Sequence, residues 1–394
     1  MAKNHATNSG LVGSEQTLSG AGETSTNNTQ QGRLWGNLES EERFCILVGD
    51  SHDLVRGLPT IHSVVTSPPY FRKRTYGQAS GEIGQEHELE GFLENLVSVF
   101  DAIPLHPRGS VWVNLGDTRR GDGLLMVPYR FAIKMQDHGW RLMDEVIWAK
   151  SVTHTDGSTS GHGMIEPARS RLNGNGFEPL FRFVKCAPKE AWTDWCAVSV
   201  PRAGAESTRY LPDELMVTTS AVEGRCLNNV WQIPTGGNRH EHYATYPVAL
   251  CERPIAMTCP MWVCSECGQM RTRLVEMVPY DEGKRRDRRI GKYRHAEGEQ
   301  LNEDSGRMDA GRGYVARKPT TTGWTDCGHT AWTNGIALDP FCGTATTGEV
   351  ALKLGRRFIG IDLYENNAAI ANQRCLEVIQ ELDRKGLNPW ALER

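Results

Sequence analysis

The sequence has no excess of positive charge and no long apolar run. Its 394 residues carry a formal net charge of −4, which argues against a generally basic nucleic-acid coat but leaves local basic patches open. No apolar stretch approaches the roughly 20 residues of a membrane-spanning helix. The N-terminal residues lack the apolar core of a secretory signal. We therefore expect a cytoplasmic protein that does not enter membranes.

Several chemical motifs are also absent. The chain contains neither G-x-G-x-x-G nor G-x-x-x-x-G-K-[ST], the loops that bind dinucleotides and triphosphates, so a dinucleotide oxidoreductase is the poorest fit. Cysteine occurs eleven times, but no Pro-Cys dipeptide is present. In a cytoplasmic chain, this many cysteines indicate metal binding or core thiols rather than a disulfide scaffold.

Apolar periodicity separates ordered from irregular segments. Residues 1–40 are rich in Ser, Thr, Asn, Gln and Gly, and we expect them to be disordered. Strands and helices alternate over residues 41–150 and again after residue 330, which predicts an α/β sheet. The predicted strands are 44–48, 61–66, 110–115, 141–150, 336–338 and 358–361, and the predicted helices are 88–100, 126–138, 346–354 and 364–382.

The first chemical motif is Asp339-Pro-Phe-Cys-Gly343-Thr-Ala-Thr-Thr-Gly348, between a predicted strand and a helix. Its small residues let the backbone approach a ligand closely, and the N–H groups that begin the helix suit an anionic group. Asp362 ends the next strand, where nucleotide-binding α/β folds place the acceptor of the ribose hydroxyls. A strand–turn–helix whose small residues serve packing alone is the alternative.

The second motif is Thr66-Ser-Pro-Pro-Tyr70, at the end of a predicted strand. The two prolines fix φ and remove two N–H donors, which leaves the Ser67 hydroxyl and nearby carbonyls as acceptors beside an aromatic ring. Acceptors next to a stacking face suit a planar base with an exocyclic amino group. An ordinary proline-rich turn is the alternative.

Together, the two motifs resemble those of the DNA amino-methyltransferases, S-adenosylmethionine-dependent enzymes that methylate cytosine N4 or adenine N6. TSPPY is similar to their catalytic motif, in the form typical of the N4-cytosine members. DPFCGTATTG is similar to their cofactor motif D-P-F-x-G-[ST]-G-T-T, with Ala345 in place of a glycine. The catalytic motif precedes the cofactor motif, as in the permuted β class. The resemblance implies a circularly permuted, Rossmann-like class I methyltransferase sheet, with the C-terminal strands beside the N-terminal ones.

The resemblance also implies roles for individual residues. Ser67 and the Pro68 carbonyl would accept the amino hydrogens, and Tyr70 would stack on a base flipped out of duplex DNA. Asp117 would be a polar partner of the base ring. The residues implied to bind S-adenosyl-L-methionine are Asp50, Thr66, Asp339, Phe341, Gly343, Thr344 and Asp362.

The same resemblance implies that the irregular residues 151–239 form the target-recognition region, which selects the DNA sequence to be methylated. Within it, four residues are of types that read bases or phosphates: Arg169, Arg171, Asn173 and Asn175. The catalytic half of the methyltransferase domain would be 41–150, the cofactor-binding half 240–263 with 330–390, and a basic insert 264–329.

The basic insert carries a candidate metal site. Cys264-Ser-Glu-Cys267 and Cys327-Gly-His329 supply four ligands of the types that hold Zn²⁺ in a tetrahedron, against the alternative of free thiols and a surface histidine. Between the two pairs, residues 284–294 carry seven Lys and Arg against one Asp. This run favours phosphate contact with DNA, and a solvated loop is the alternative.

These features predict a site-specific N4-cytosine DNA methyltransferase that acts on double-stranded DNA, with a cognate restriction endonuclease as a further partner. An N6-adenine enzyme is the alternative within the same chemistry, because the same acceptors fit both amino groups. From another class, the chain could be a non-catalytic zinc-dependent DNA-binding protein, with Ala345 as a sign of decay. Cytosine C5 methylation requires a cysteine nucleophile, normally in Pro-Cys, and that dipeptide is absent.

Overall fold

The computed structural model of the chain describes residues 42–73, 82–121, 123–153, 159–161, 176–198, 227–235, 246–279 and 317–391. The predicted tail, the four Arg and Asn residues at 169–175 and the basic run 284–294 lie outside these ranges. Among the helices described, none combines the length and hydropathy of a transmembrane span.

Most of the described strands join one large sheet. The strands are β1 (Phe44–Val48), β2 (Ile61–Thr66), β3 (Leu105–Asn114), β4 (Arg119–Arg120), β5 (Gly123–Leu124), β6 (Arg141–Thr153), β7 (Thr159–Gly161), β8 (Phe177–Val184), β9 (Val230–Pro234), β10 (Val263–Cys264), β11 (Arg273–Pro279), β12 (Arg317–Trp324), β13 (Trp332–Thr333), β14 (Ile336–Asp339) and β15 (Arg357–Asp362). The order in the large sheet is β1-β15-β14-β2-β3-β8-β6-β7, and β9 also pairs with β6.

The two ends of the described chain build the parallel half of this sheet. β14 pairs with β2, where Ala337 faces Ser63, and β15 pairs with β1, where Phe44 faces Phe358. All neighbouring pairs from β1 to β3 are parallel. The predicted permuted arrangement is therefore confirmed, and the carboxyl ends of strands from both halves of the sequence meet at one edge, where such folds bind ligands.

Helices cover both faces of the sheet, which gives three layers. Along β2, Val64 packs with Phe92 and Phe131 on one face, whereas Val65 packs with Leu250 on the other. This alternation follows from the two-residue period of a strand, and it predicts apolar residues at successive positions of a doubly covered strand. The helices are α1 (Ser51–Leu54), α2 (Leu89–Ala102), α3 (Val127–Asp137), α4 (Val248–Thr258), α5 (Thr346–Lys353) and α6 (Glu365–Arg384).

Residues 151–239, the predicted target-recognition region, contribute strands to the large sheet. β8 pairs antiparallel with β3 and β6, and β9 pairs parallel with β6. The residues of β8 are buried after the first, including Glu178 and Arg182. These two charged residues interrupt the apolar run of β8, so the sequence shows no clear strand pattern in this part of residues 151–239.

The predicted insert contains two further antiparallel ladders. β10 pairs with β13, and β11 pairs with β12. Asp194 joins the second ladder to the rest of the fold, because its Oδ2 lies 2.9 Å from Arg273 Nη2 in a largely buried ion pair. We call the pair β11–β12 the hairpin below; its two strands are 37 residues apart in the sequence, from 280 to 316.

Candidate active site

The motif Thr66–Tyr70 begins at the carboxyl end of β2 and contacts the motif that starts at Asp339. Thr66, the last residue of β2, donates a hydrogen bond from Oγ1 to Asp339 Oδ1 over 2.6 Å. Asp339 is the last residue of β14, the neighbouring strand. The two motifs, 273 residues apart in the sequence, therefore form one corner of the sheet edge.

Tyr70 is held in place from several sides. Its hydroxyl donates to Glu178 Oε2 over 2.8 Å and lies 3.3 Å from Asn114 Oδ1. The ring lies on the backbone of Gly116, where a Cβ would come within 2.5 Å of Tyr70 Cε2. Ser67 Oγ donates weakly to the Tyr70 hydroxyl over 3.4 Å. The ring therefore has a defined orientation beside the Ser67 hydroxyl.

Glu178 and Lys150 are the site residues that sequence reasoning missed. Lys150 Nζ donates to Glu178 Oε1 over 2.7 Å, and both side chains are largely buried. Glu178 thus bridges Lys150 on β6 and Tyr70 after β2. The one sequence signal was a pair of charged residues inside the apolar run of β8, since a buried charge must be paired.

The Asp117 carboxylate accepts hydrogen bonds from three backbone N–H groups. Its Oδ1 accepts from the N–H groups of Thr118 and Val127, and its Oδ2 accepts from Met126 N. The carboxylate thereby closes the loop that precedes α3. Its contact with a base stays a prediction.

The cofactor motif forms a tight loop fastened at both ends. Asp339 is fully buried, and its carboxylate also accepts from Phe341 N and from the Tyr246 and Thr347 hydroxyls. Burial raises the pKa of Asp339 to about 6, although these donors oppose the rise.

Asp362, at the end of β15, lies against the same loop. Its Oδ2 accepts from Gly343 N over 3.0 Å, and its Oδ1 accepts from Tyr364 N and Asn367 Nδ2. Burial raises the pKa of Asp362. Gly343 has a φ of +50°, which suits a residue without a side chain.

Other predicted cofactor residues surround this loop. Asp50 caps α1 by accepting from His52 N over 2.8 Å, and the adjacent Ser51 hydroxyl donates to the Pro340 carbonyl. The Phe341 ring packs 6.5 Å from that of Phe100. The structure therefore brings all the predicted catalytic and cofactor residues to one edge of the sheet.

The comparison with known families decides the class of protein. The model of the N6/N4 methyltransferase family, described as DNA methylase, matches residues 61–262 and 290–373. The chain belongs to this family. The predicted enzyme class, a DNA methyltransferase that uses S-adenosylmethionine, is thereby confirmed.

Individual relatives of this DNA methylase span nearly its whole length. The type II methyltransferase M.SfiI of Streptomyces fimbriatus is 25% identical over 82% of this chain and 89% of its own. M.SmaI of Serratia marcescens is 24% identical over 86% and 93%. Among solved structures, the cytosine-N4-specific PvuII DNA methyltransferase is 16% identical, covers 87% of this chain and 92% of its own, and has a TM-score of 0.48.

Ala345 is where the methylase departs from the motif of its family. It has a φ of +59° and a ψ of +47°, in the left-handed region, and it is fully buried. A left-handed conformation costs a residue with a Cβ roughly 1–2 kcal/mol. The loop therefore keeps a geometry that suits glycine although alanine occupies the position.

The predicted metal ligands lie apart from these residues in the sequence but close to one another. One ligand atom from each of Cys264, Cys267, Cys327 and His329 lies within 4.8 Å of the other three. Cys264 Sγ is 3.4 Å from His329 Nδ1. The four side chains that sequence spacing singled out thus converge.

Proposed function

We propose that this DNA methylase transfers a methyl group to the N4 atom of cytosine in duplex DNA, as the modification enzyme of a type II restriction–modification system. The observation that carries the proposal is the hydrogen bond from Thr66 to Asp339, which joins the base-binding corner to the cofactor loop. Ser67 before Pro-Pro favours cytosine over adenine, and relatives named type II methyltransferases support the biological setting. A cognate endonuclease would be the natural partner.

S-adenosylmethionine supplies a methyl group made reactive by the sulfonium that bears it. The residues present fit this cofactor, because the carboxylates at this edge of the sheet could accept hydrogen bonds from its hydroxyls and balance its positive charges. A carboxylate offers about four acceptor positions. Asp362 uses three of them for protein donors, which leaves one for a ribose hydroxyl. Asp50, with about a third of its side chain exposed, would face the adenine side.

The amino group of cytosine needs activation because its lone pair is delocalised into the ring. Hydrogen bonds from the amino protons to Ser67 Oγ and the Pro68 carbonyl would localise that lone pair and stabilise the positive charge that develops on nitrogen. The Ser67 proton points toward the Tyr70 hydroxyl, so the lone pairs of Oγ are available to the amino group.

Tyr70 would stack on the flipped base, and Glu178 positions it. The Tyr70 hydroxyl donates a hydrogen bond to Glu178, and Lys150 balances the negative charge of that carboxylate. A stacking ring fixed in this way holds the base at the height of the acceptors. Orientation of this kind supplies a large part of the rate of many enzymes.

The product decides between the candidate activities. DNA from cells that express the protein is digested to nucleosides and analysed by mass spectrometry, with the Ser67→Ala variant as control. We expect N4-methylcytosine with the wild type and much less of it with the variant. N6-methyladenine would contradict the choice of cytosine, and no methylated nucleoside would favour the non-catalytic DNA-binding alternative.

Asp362 tests the cofactor assignment. We expect Asp362→Ala to weaken S-adenosylmethionine binding, since a hydroxyl would lose a charged acceptor worth about 1.5–3 kcal/mol. Titration calorimetry measures the affinity, and Asp53→Ala is the control because Asp53 is an exposed residue of nearby α1. Equal affinities of Asp362→Ala and wild type would contradict the assignment.

A further inference from the structure

The cluster of Cys264, Cys267, Cys327 and His329 has the dimensions of a tetrahedral metal site. With Zn–S and Zn–N bonds of about 2.3 Å and 2.1 Å, a tetrahedron places sulfur and nitrogen about 3.6 Å apart. The observed separation of Cys264 Sγ and His329 Nδ1 is 3.4 Å. All four ligand atoms lie within 4.8 Å of one another, so small side-chain rotations would complete the coordination.

Two tight turns present these ligands. Gly268 N donates to the Cys264 carbonyl over 3.0 Å and has a φ of +72°. Gly328, between Cys327 and His329, has a φ of +81°, and its N–H donates to Asp326 Oδ1. Each pair of ligands therefore sits on a turn that uses the conformational freedom of glycine.

The histidine also has a partner for its other ring nitrogen. Glu266 Oε2 lies 3.9 Å from His329 Nε2, the atom left free when Nδ1 binds a metal. Metal-bound histidines usually donate their second N–H to such a carboxylate, which fixes the ring. Glu266 lies between the two cysteines of the first turn, and a side-chain movement of about 1 Å would bring its carboxylate within hydrogen-bond distance of His329.

The buried apolar cluster next to these two turns is small. The buried apolar cluster next to the turns consists of Trp192, Val263 and Met270. Small units with little core usually depend on a metal or on disulfides. A cross-link at this position would fasten the start of β11 to the end of β12, because Cys267 precedes the hairpin and Cys327 follows it.

We propose that these four side chains bind one Zn²⁺, which fixes the hairpin on the methyltransferase fold. All four positions are filled by protein, as in structural rather than catalytic zinc sites. The hairpin is in turn attached to the segment that follows β8, because the Arg273 guanidinium binds Asp194. Just before the hairpin, the Arg271 carbonyl accepts from Trp192 Nε1. The metal would thus hold β11 and β12 against the methyltransferase fold.

Metal content tests the proposal directly. We expect the full-length protein, purified without chelators, to contain one zinc per chain by elemental analysis. Exchange into Co²⁺ should give the visible bands of a tetrahedral cobalt–thiolate site. Cys264→Ser and His329→Ala should each lose the bound metal, whereas Cys186→Ser should keep it, since Cys186 lies outside the cluster.

Two outcomes would overturn the proposal. Wild-type protein without zinc that also gives no cobalt bands when reduced and titrated would exclude the site, and this result does not depend on whether a variant folds. Full metal retention in Cys264→Ser would exclude this set of ligands. Removing zinc by chelation should leave S-adenosylmethionine binding intact, so the proposal can fail without affecting the proposed methylation.

Discussion

Gly116 is the position where one added methyl group tests the placement of Tyr70. A Cβ there would lie 2.5 Å from Tyr70 Cε2, 3.0 Å from Cδ2 and 3.1 Å from Glu178 Oε1. Carbon atoms in ordinary contact are about 3.5–4.0 Å apart. In Gly116→Ala, the Tyr70 ring or the backbone beside it must therefore move by about 1 Å.

A displacement of this size would move Tyr70, the proposed stacking residue, and not the cofactor loop. Misplacing a reacting group by about 1 Å can cost about 10²-fold in rate. We therefore expect Gly116→Ala to lower the rate of methyl transfer by about 10²-fold. S-adenosylmethionine affinity should not change, because the three atoms nearest to a Cβ at Gly116 belong to Tyr70 and Glu178 and not to residues bonded to Asp362. Overpacking costs about 1–3 kcal/mol, which a folded protein can tolerate.

Single-turnover transfer of a labelled methyl group to DNA measures the chemical step, and calorimetry measures cofactor binding. Gly57→Ala is the matched control, since nothing lies within 4 Å of a Cβ at Gly57. Circular dichroism confirms that both variants are folded. A folded Gly116→Ala variant that transfers methyl groups at the wild-type rate would refute the role of the Tyr70 orientation.

Three further substitutions test other parts of the site. Ser67→Ala should lose about 10²-fold or more in methyl transfer while keeping cofactor affinity; wild-type turnover would exclude Ser67 as an acceptor. Ala345→Gly should leave cofactor affinity and the free energy of unfolding equal or higher, because left-handed backbone favours glycine; calorimetry and urea unfolding would reveal a loss. Asp339→Asn tests the raised pKa of Asp339, which is about 6 in the folded state against an ordinary value of 3.8. Protonation of this carboxyl therefore stabilises the folded wild type below pH 4, and the stabilisation is lost as the pH rises through 6. Relative to Asp339→Asn, wild type should gain about 2 kcal/mol in unfolding free energy from pH 7 to pH 4, and a pH-independent difference would contradict the shift.

Local sequence determined much of this fold. Apolar periodicity located α2 to within about two residues at each end, and the strand β15 before Asp362 followed from a short apolar run. The conformations of the Pro68-Pro69 turn and of the loop of small residues after Asp339 depend largely on local sequence. Proline restricts the backbone angle φ, and glycine widens its range. The order of the two motifs resembles that of the permuted β class, and this resemblance predicted that strands from the two ends of the chain pair.

Contacts between distant residues were decided only by the tertiary structure. Glu178 joined the site because β8 runs antiparallel beside β3, and no local pattern tells which strand a charged residue will adjoin. Asp339 and Asp362 accept hydrogen bonds from backbone N–H groups of the loop and so stabilise its conformation. Sequence alone could not predict these bonds, because they depend on how the loop closes. Cysteine spacing suggested the metal ligands, but only the pairing of β10 with β13 brings Cys264 and His329 together. Side-chain chemistry is local, whereas proximity is a property of the whole sheet.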